Sequence, residues 1–176
     1  MQLYNYFRSS ASYRVRIALA LKNLDYDYVA VHLARNEHTA EAYGAVSASR
    51  LVPLLKDGDV SVTQSLAIIE YLEDTILSGP RLLPVDPYLR ARVRQLAENI
   101  NAGIQPYQNT APRKLLAAER KGLEDEYTRH FLALGLRGLE AAVAAGAGRF
   151  SHGDTVTLAD LFVVPQLYGA RRFGVD

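Results

Sequence analysis

The sequence has no cysteine among its 176 residues. It therefore forms no disulfide, offers no thiolate to a metal ion and has no cysteine nucleophile. This is consistent with a reducing compartment, and any thiol chemistry must use a thiol from outside the chain. The histidines lack metal-ligand spacing, so we predict no metal site and expect surface or loop positions for all of them. They are His32, His38, His130 and His152.

An excess of charge of either sign is also lacking, since 20 Lys and Arg stand against 19 Asp and Glu. Without a long basic run or a ladder of aromatic residues, nucleic acid is not an expected partner. No stretch is long and apolar enough to cross a membrane, and residues 1–6 lack the features of a signal peptide. We therefore expect a cytoplasmic protein.

The first ~75 residues mix strand and helix patterns, as expected for an α/β domain. Strand patterns cover residues 2–6, 26–33, 51–56 and 60–63, and helix patterns cover 12–22 and 65–74. In the first helix, Val15, Ala18, Leu19 and the stem of Lys22 share a face, which leaves Arg14 and Arg16 off it. A crossover helix joins parallel strands and a hairpin joins antiparallel ones. The order predicts a small mixed sheet of about four strands with a thioredoxin-like layout.

After residue 75 the strand patterns disappear. Glycine and proline within residues 75–87 indicate a linker, and helix patterns follow at 88–107, 123–145 and 157–172. Thr157 and Asp160 fit a capping box, to which we assign a structural and not a catalytic role. The chain is thus divided into a domain at residues 1–78, a linker at 79–87 and a helical domain at 88–176.

Three polar clusters are candidates for a binding site. The segment from Arg8 to Arg14 is either a helix N-cap cluster or a site for an anion or thiolate, because helix starts are positive and serine hydroxyls donate. Such surroundings lower the pKa of an external thiol. Gln64 and Ser65 begin a second helix, where Ser65 is a plausible N-cap and a carboxylate is the alternative ligand. Arg171 and Arg172 are either a solvated helix end or a ligand site.

Residues 9–19, SSASYRVRIAL, resemble the signature of the zeta-class glutathione transferases. Further matches follow in order: LVPLL at 51–55, QSLAIIEYL at 64–72, GIQPYQN at 103–109, GDTVTLAD at 153–160 and RRFGVD at 171–176. The resemblance covers essentially the whole chain, although residues 110–121 match poorly. The serine-rich block together with the IQPYQN segment is its most specific part.

The resemblance implies a thioredoxin-like N-terminal domain followed by a helical glutathione-transferase C-terminal domain, usually assembled as a homodimer. It implies glutathione as cofactor and a small-molecule diacid as substrate. The cofactor-binding residues that match are Ser9, Ser10, Ser12, Arg14, Val52, Pro53, Gln64, Ser65, Gln105 and Asn109. Ser9 and Ser10 are the implied catalytic residues beside the sulfur. The Val52-Pro53 peptide is expected to be cis, and Arg8 and Arg172 are expected to hold substrate carboxylates.

The implied reaction is the cis–trans isomerisation of maleylacetoacetate or maleylpyruvate. General glutathione transfer, dehalogenation of α-halo acids and a non-catalytic glutathione-binding scaffold are the alternatives. The sequence departs from the family in two places. Ala11 stands where the signature usually has cysteine, which leaves a serine route to the thiolate. The family also normally continues past the RRFGVD block by one or two helices, so we expect either a missing tail or a shortened substrate site.

Overall fold

The computed structural model describes residues 1–175, so Asp176 of the RRFGVD block lies outside the described residues. The chain forms two compact units, of which the first is Met1–Arg81 and the second begins at Leu82. This boundary lies within the predicted linker. No helix in residues 1–175 has both the length and the apolar character needed to span a bilayer.

The first unit is built on a four-stranded mixed sheet. Its strands are β1 (Gln2–Asn5), β2 (Asp27–Ala30), β3 (Leu54–Asp57) and β4 (Val60–Thr63). They lie in the order β2-β1-β3-β4, with β1 parallel to β2 and antiparallel to β3, and β3 antiparallel to β4. Helix α1 (Ser10–Leu21) connects the parallel pair, and α3 (Ser65–Thr75) follows β4. The predicted thioredoxin-like sheet is confirmed.

The strands predicted at 26–33 and 51–56 extend several residues beyond the observed strands. Residues 26–33 were expected to be one strand, but β2 ends at Ala30, and a 3-10 turn occupies Leu33–Arg35. His32 Nδ1 accepts from the Arg35 N–H at 3.3 Å, and this cap turns the chain away from the sheet. A second 3-10 turn (Glu37–Thr39) and the short helix α2 (Glu41–Gly44) follow. The third strand begins at Leu54 and not at residue 51, since Pro53 has no N–H for the ladder.

The second unit is helical. Its elements are α4 (Pro87–Asn101), a 3-10 turn (Gln105–Gln108), α5 (Thr110–Glu119), α6 (Leu123–Ala144) and α7 (Leu158–Arg172). A helix was predicted over 88–107, but α4 ends at Asn101, six residues before the predicted end. A Cβ at Gly103 would lie 2.6 Å from the Asn99 carbonyl oxygen, so this close turn needs glycine. Helix α5 lies within residues 110–121, the segment that matches the family poorly.

A buried ion pair joins the ends of α1 and α3. Lys22 Nζ lies 3.0 Å from Glu73 Oε2, and their side chains are 1% and 0% exposed. Lys22 also donates to the Ile76 carbonyl at 3.2 Å, and Arg81 Nε lies 3.0 Å from Glu73 Oε1. Lys22 was expected to bury only its stem on the apolar face. The structure also buries its ammonium group, because Glu73 provides a counter-charge inside the first unit.

The predicted capping box at the start of α7 is confirmed. The Asp160 carboxylate accepts from the Thr157 N–H at 2.7 Å and from the Ser151 N–H at 2.8 Å. Both contacts hold the backbone before α7, and neither leads to a ligand. The role assigned to Asp160 is therefore structural.

Replacing Asp160 with alanine is expected to destabilise the protein by about 1–2 kcal/mol, the usual cost of losing a helix cap. The free energy of unfolding in urea measures this change. The activity that the family resemblance implies, measured well below the unfolding temperature, should stay near that of the unmodified protein. A large loss of kcat in a folded Asp160→Ala protein would contradict the structural assignment.

Candidate active site

Ser9 is the N-cap of α1, at the loop that leaves β1. Its Oγ accepts from the Ser12 N–H at 3.1 Å. Because the oxygen already accepts within the chain, the hydroxyl proton is directed to an acceptor elsewhere. The first turn of α1 has no acidic residue, so nothing there offsets the positive end of the helix dipole. This helix start therefore suits an anion such as a thiolate.

The other serines of the cluster differ in exposure. Ser10 is the first residue of α1 and is half-buried, like Ser9. Ser12 is buried, and within residues 1–175 its Oγ has no hydrogen-bond partner. The structure thus places Ser9 and Ser10 together at the half-buried start of the helix. A contact between Ser12 and a cofactor stays a prediction.

A second helix start lies at Gln64 and Ser65, where the expected N-cap role of Ser65 was wrong. Ser65 is the first residue of α3 and Gln64 is the N-cap. The Ser65 Oγ instead accepts from Arg14 Nη1 at 3.0 Å. Gln64 has φ 71° and ψ 121°, a positive φ that is rare for a residue with a side chain. Such strained backbone occurs preferentially at functional sites, which is consistent with the ligand role predicted for Gln64.

Arg14 was placed off the apolar face of α1, yet it is completely buried. The sequence pattern missed this because its partner, Ser65, is 51 residues away in the chain. A buried guanidinium needs hydrogen-bond acceptors, and the Ser65 hydroxyl provides one. Direct contact between Arg14 and a cofactor stays a prediction, and the observed contact is with a second predicted site residue.

The Val52-Pro53 peptide is cis, as the family resemblance implied. Within the described residues, the Val52 N–H and C=O make no backbone hydrogen bond, so both can pair with an extended ligand. The segment before it is anchored, since the Tyr43 hydroxyl donates to the Leu51 carbonyl at 2.7 Å. Burial raises the pKa of the Tyr43 phenol, so this group remains a donor at neutral pH.

Arg16 supports the candidate site in a way that the sequence pattern did not identify. It lies on α1, and its Nη1 donates to Asn5 Oδ1 at 2.9 Å while its Nη2 donates to the Phe7 carbonyl at 3.2 Å. These contacts hold the loop that carries Arg8 and Ser9. Arg8 itself is exposed, with its Cζ 5.3 Å from the centre of the Phe7 ring. Only the charge of Arg16 and its place off the apolar face pointed to a polar contact.

In the second unit, two predicted site residues contact each other. Gln105 Nε2 donates to Asn109 Oδ1 at 2.6 Å across the 3-10 turn. In the same turn, Gln108 Nε2 donates to Oε1 of Gln166 in α7 at 3.4 Å. The turn is thereby fixed to α7, at whose end Arg172 is exposed.

The contacts of Arg113 in α5 give this side chain a structural role. Its Nη1 donates to the Glu124 carbonyl at 2.8 Å, and its Nη2 lies 2.7 Å from Asp125 Oδ1. The hydrogen bond from Arg113 holds the pKa of Asp125 below its ordinary value. The guanidinium also lies 4.8 Å from the centre of the Phe173 ring. Arg172, directly before Phe173, has no such partner within residues 1–175.

Residues 1–74 match the family model described as the glutathione S-transferase N-terminal domain. A maleylpyruvate isomerase from Ralstonia sp is 42% identical over 182 residues, which cover 100% of this chain and 85% of that protein.

Two solved structures are similar to this chain over nearly its whole length. The holo structure of a maleylpyruvate isomerase, described as a bacterial zeta-class glutathione S-transferase, has a TM-score of 0.95 and 41% identity, covering 100% of this chain and 85% of the other. A maleylacetoacetate isomerase from Anaeromyxobacter dehalogenans 2CP-1 holds dicarboxyethyl glutathione and citrate in its active site. Its TM-score is 0.87 with 49% identity, covering 99% of this chain and 82% of the other. By this identity over nearly its whole length, the chain belongs to the zeta class of the glutathione S-transferase family.

Proposed function

We propose that this protein is a glutathione-dependent isomerase that converts maleylacetoacetate or maleylpyruvate to its fumaryl isomer. The observation that carries the proposal is the identity with such isomerases over nearly the whole chain. The donor-rich start of α1, with Ser9 as its N-cap, agrees with that chemistry. The ligand of the Anaeromyxobacter relative combines glutathione with two carboxylates, so that relative's site accepts both chemical groups.

The residues of the first unit fit glutathione by their donor chemistry. Ser9 offers a hydroxyl proton at a positive helix start, which suits a sulfur anion. The cis Val52-Pro53 peptide leaves the Val52 backbone able to pair with a peptide ligand. Gln64 and Ser65 offer donors at the start of α3, where a γ-glutamyl carboxylate would be held. A cofactor with one thiol and anionic ends matches this set.

When bound, glutathione supplies a thiolate that adds to the activated double bond, so that the bond can rotate before the thiol leaves. Ser9 and Ser10 would donate to the sulfur and lower the pKa of the thiol, which keeps it ionised at neutral pH. Because Ala11 provides no thiol, this hydroxyl route is the one that the cluster offers. Arg8 and Arg172 would hold the substrate carboxylates, for which the planar guanidinium is well suited.

We further propose that the protein works as a homodimer in the cytoplasm. The family resemblance supports the homodimer, and dependence on reduced glutathione supports a reducing compartment. Size-exclusion chromatography with light scattering tests the oligomeric state. A monomeric mass at the concentration used for the activity assay would contradict the dimer.

The function is tested by an ultraviolet assay of the purified protein with maleylpyruvate, with and without glutathione. Formation of fumarylpyruvate only when glutathione is present would support the isomerase. Maleylacetoacetate is assayed in parallel, and the higher kcat/KM identifies the preferred substrate. Retention on a glutathione resin without conversion of either diacid would contradict the isomerase and favour a conjugating enzyme or a scaffold.

Replacing Arg8 with alanine is expected to raise KM for the diacid by roughly tenfold or more, the usual effect of losing a hydrogen bond to a charged group. KM for glutathione should stay unchanged, because Arg8 is assigned to the substrate carboxylates alone. Steady-state kinetics with each reactant varied in turn separates the two constants.

Arg149→Ala is the matched control, since Arg149 is also an exposed arginine that lies against a phenylalanine ring. It should change neither constant appreciably. If Arg8→Ala keeps the normal KM for the diacid, Arg8 does not hold a carboxylate.

A further inference from the structure

A buried contact between α1 and α3 links the two helix starts of the candidate site. Arg14 lies in the second turn of α1 and is 0% exposed, while Ser65 begins α3 and is 3% exposed. Arg14 Nη1 donates to Ser65 Oγ at 3.0 Å. A permanent positive charge is thus fixed against the hydroxyl of a residue assigned to the γ-glutamyl end of glutathione.

This contact determines what the Ser65 hydroxyl can do. A guanidinium has no acceptor and remains charged at all physiological pH values, so Ser65 must accept in this pair. The hydroxyl proton is then available to a different acceptor, and the adjacent cation makes it a stronger donor. At the start of α3, the acceptor that the helix dipole also favours is an anion.

We propose that Arg14 is a positioning residue that sets Ser65 as a fixed donor to the α-carboxylate of the γ-glutamyl group. The inference rests on the proposed use of glutathione. Arg14 is fully buried, so it acts through Ser65 and not by its own contact with the cofactor. Its charge therefore contributes to recognition of one carboxylate through Ser65.

The rival explanation is that Arg14 only ties α1 to α3. The two explanations differ in what a ligand without the α-carboxylate would show. A structural tie supports every contact of the site, so its loss weakens all ligands alike. A positioning role affects only ligands that carry the carboxylate.

The experiment measures Kd by isothermal titration calorimetry for glutathione and for 4-aminobutanoyl-Cys-Gly, which lacks the α-carboxylate. The proteins are the unmodified chain, Arg14→Met, Ser65→Ala and the double variant. Arg14→Met is expected to weaken glutathione roughly tenfold, as for a lost charge-assisted hydrogen bond, and to leave the analogue nearly unchanged. The double variant should bind glutathione no more weakly than Ser65→Ala alone, because both changes remove the same interaction.

Equal losses for both ligands, or losses that add in the double variant, would overturn the positioning role. Unchanged glutathione affinity in Arg14→Met would also overturn it, while the proposed function would stand. If the unmodified chain does not bind glutathione, the proposed function fails instead, and the inference with it. If circular dichroism shows Arg14→Met unfolded, Arg14→Gln replaces it: this variant keeps a polar side chain but removes the charge. The same criterion applies, with a loss confined to glutathione expected.

Discussion

Replacing Ser9 with alanine should lower kcat of the glutathione-dependent reaction by about 10²–10³-fold, the usual cost of losing one donor to a reacting anion. The Ser9 oxygen already accepts from the Ser12 N–H, so its proton is the donor that α1 offers to the sulfur. Without that donor, the pKa of the bound thiol rises and less thiolate is present at neutral pH. The rate profile of the variant should therefore shift to higher pH.

Three further variants separate the donor role of Ser9 from its N-cap role. Ser9→Thr keeps the hydroxyl and should retain most of the activity. Ser9→Asp keeps a capping oxygen but cannot donate when ionised, so it should lose kcat as Ser9→Ala does. The ultraviolet absorbance of the bound thiolate, followed against pH, reports the thiol pKa directly. If Ser10→Ala shows the larger loss and the larger pKa shift, the donor is Ser10 and not Ser9.

The largest stability effect is expected at the buried Lys22–Glu73 pair. Glu73→Leu should destabilise the protein by about 3–5 kcal/mol, because it leaves the Lys22 ammonium buried without a counter-charge. Arg81 should contribute little, since its side chain is 58% exposed and can turn into solvent. Urea unfolding followed by circular dichroism gives the free energy of unfolding.

The double variant Lys22→Met with Glu73→Leu is the control for this prediction. It removes both charges and fills the space with apolar groups, so it should be much more stable than Glu73→Leu alone. A loss below about 1 kcal/mol in Glu73→Leu would show that the pair behaves like an exposed ion pair. The interior position of the two side chains would then not determine their energetics.

The sequence predicts the local parts of this structure well. The strand pattern at residues 60–63 coincides with β4, and the Thr157 and Asp160 pattern located the start of α7. These features depend on neighbours within a few residues, which a sequence pattern shows directly. The resemblance added the cis Val52-Pro53 peptide, which composition and periodicity could not decide.

The parts that could not be predicted depend on contacts between distant residues. The periodicity of α1 placed Arg14 off the apolar face because only its own helix was considered, and Ser65 lies 51 positions away. Ser65 has the chemistry of an N-cap, yet its oxygen is used by Arg14. In the same way, the role of Arg16 depends on its hydrogen-bond acceptors in β1 and in the loop after it. A polar side chain's role in the site thus follows from tertiary contacts and not from its local pattern.

Ser9 Oγ accepts from the Ser12 N–H, and Ser65 Oγ accepts from Arg14. These two hydrogen bonds have the same consequence for ligand binding. A free hydroxyl rotates among several orientations, and a ligand must select one of them at an entropic cost. In Ser9 and Ser65 that freedom is already restricted when the chain folds. The directions of these two hydrogen bonds are therefore set before any ligand enters, and a ligand with its anionic groups at other positions gains little from them.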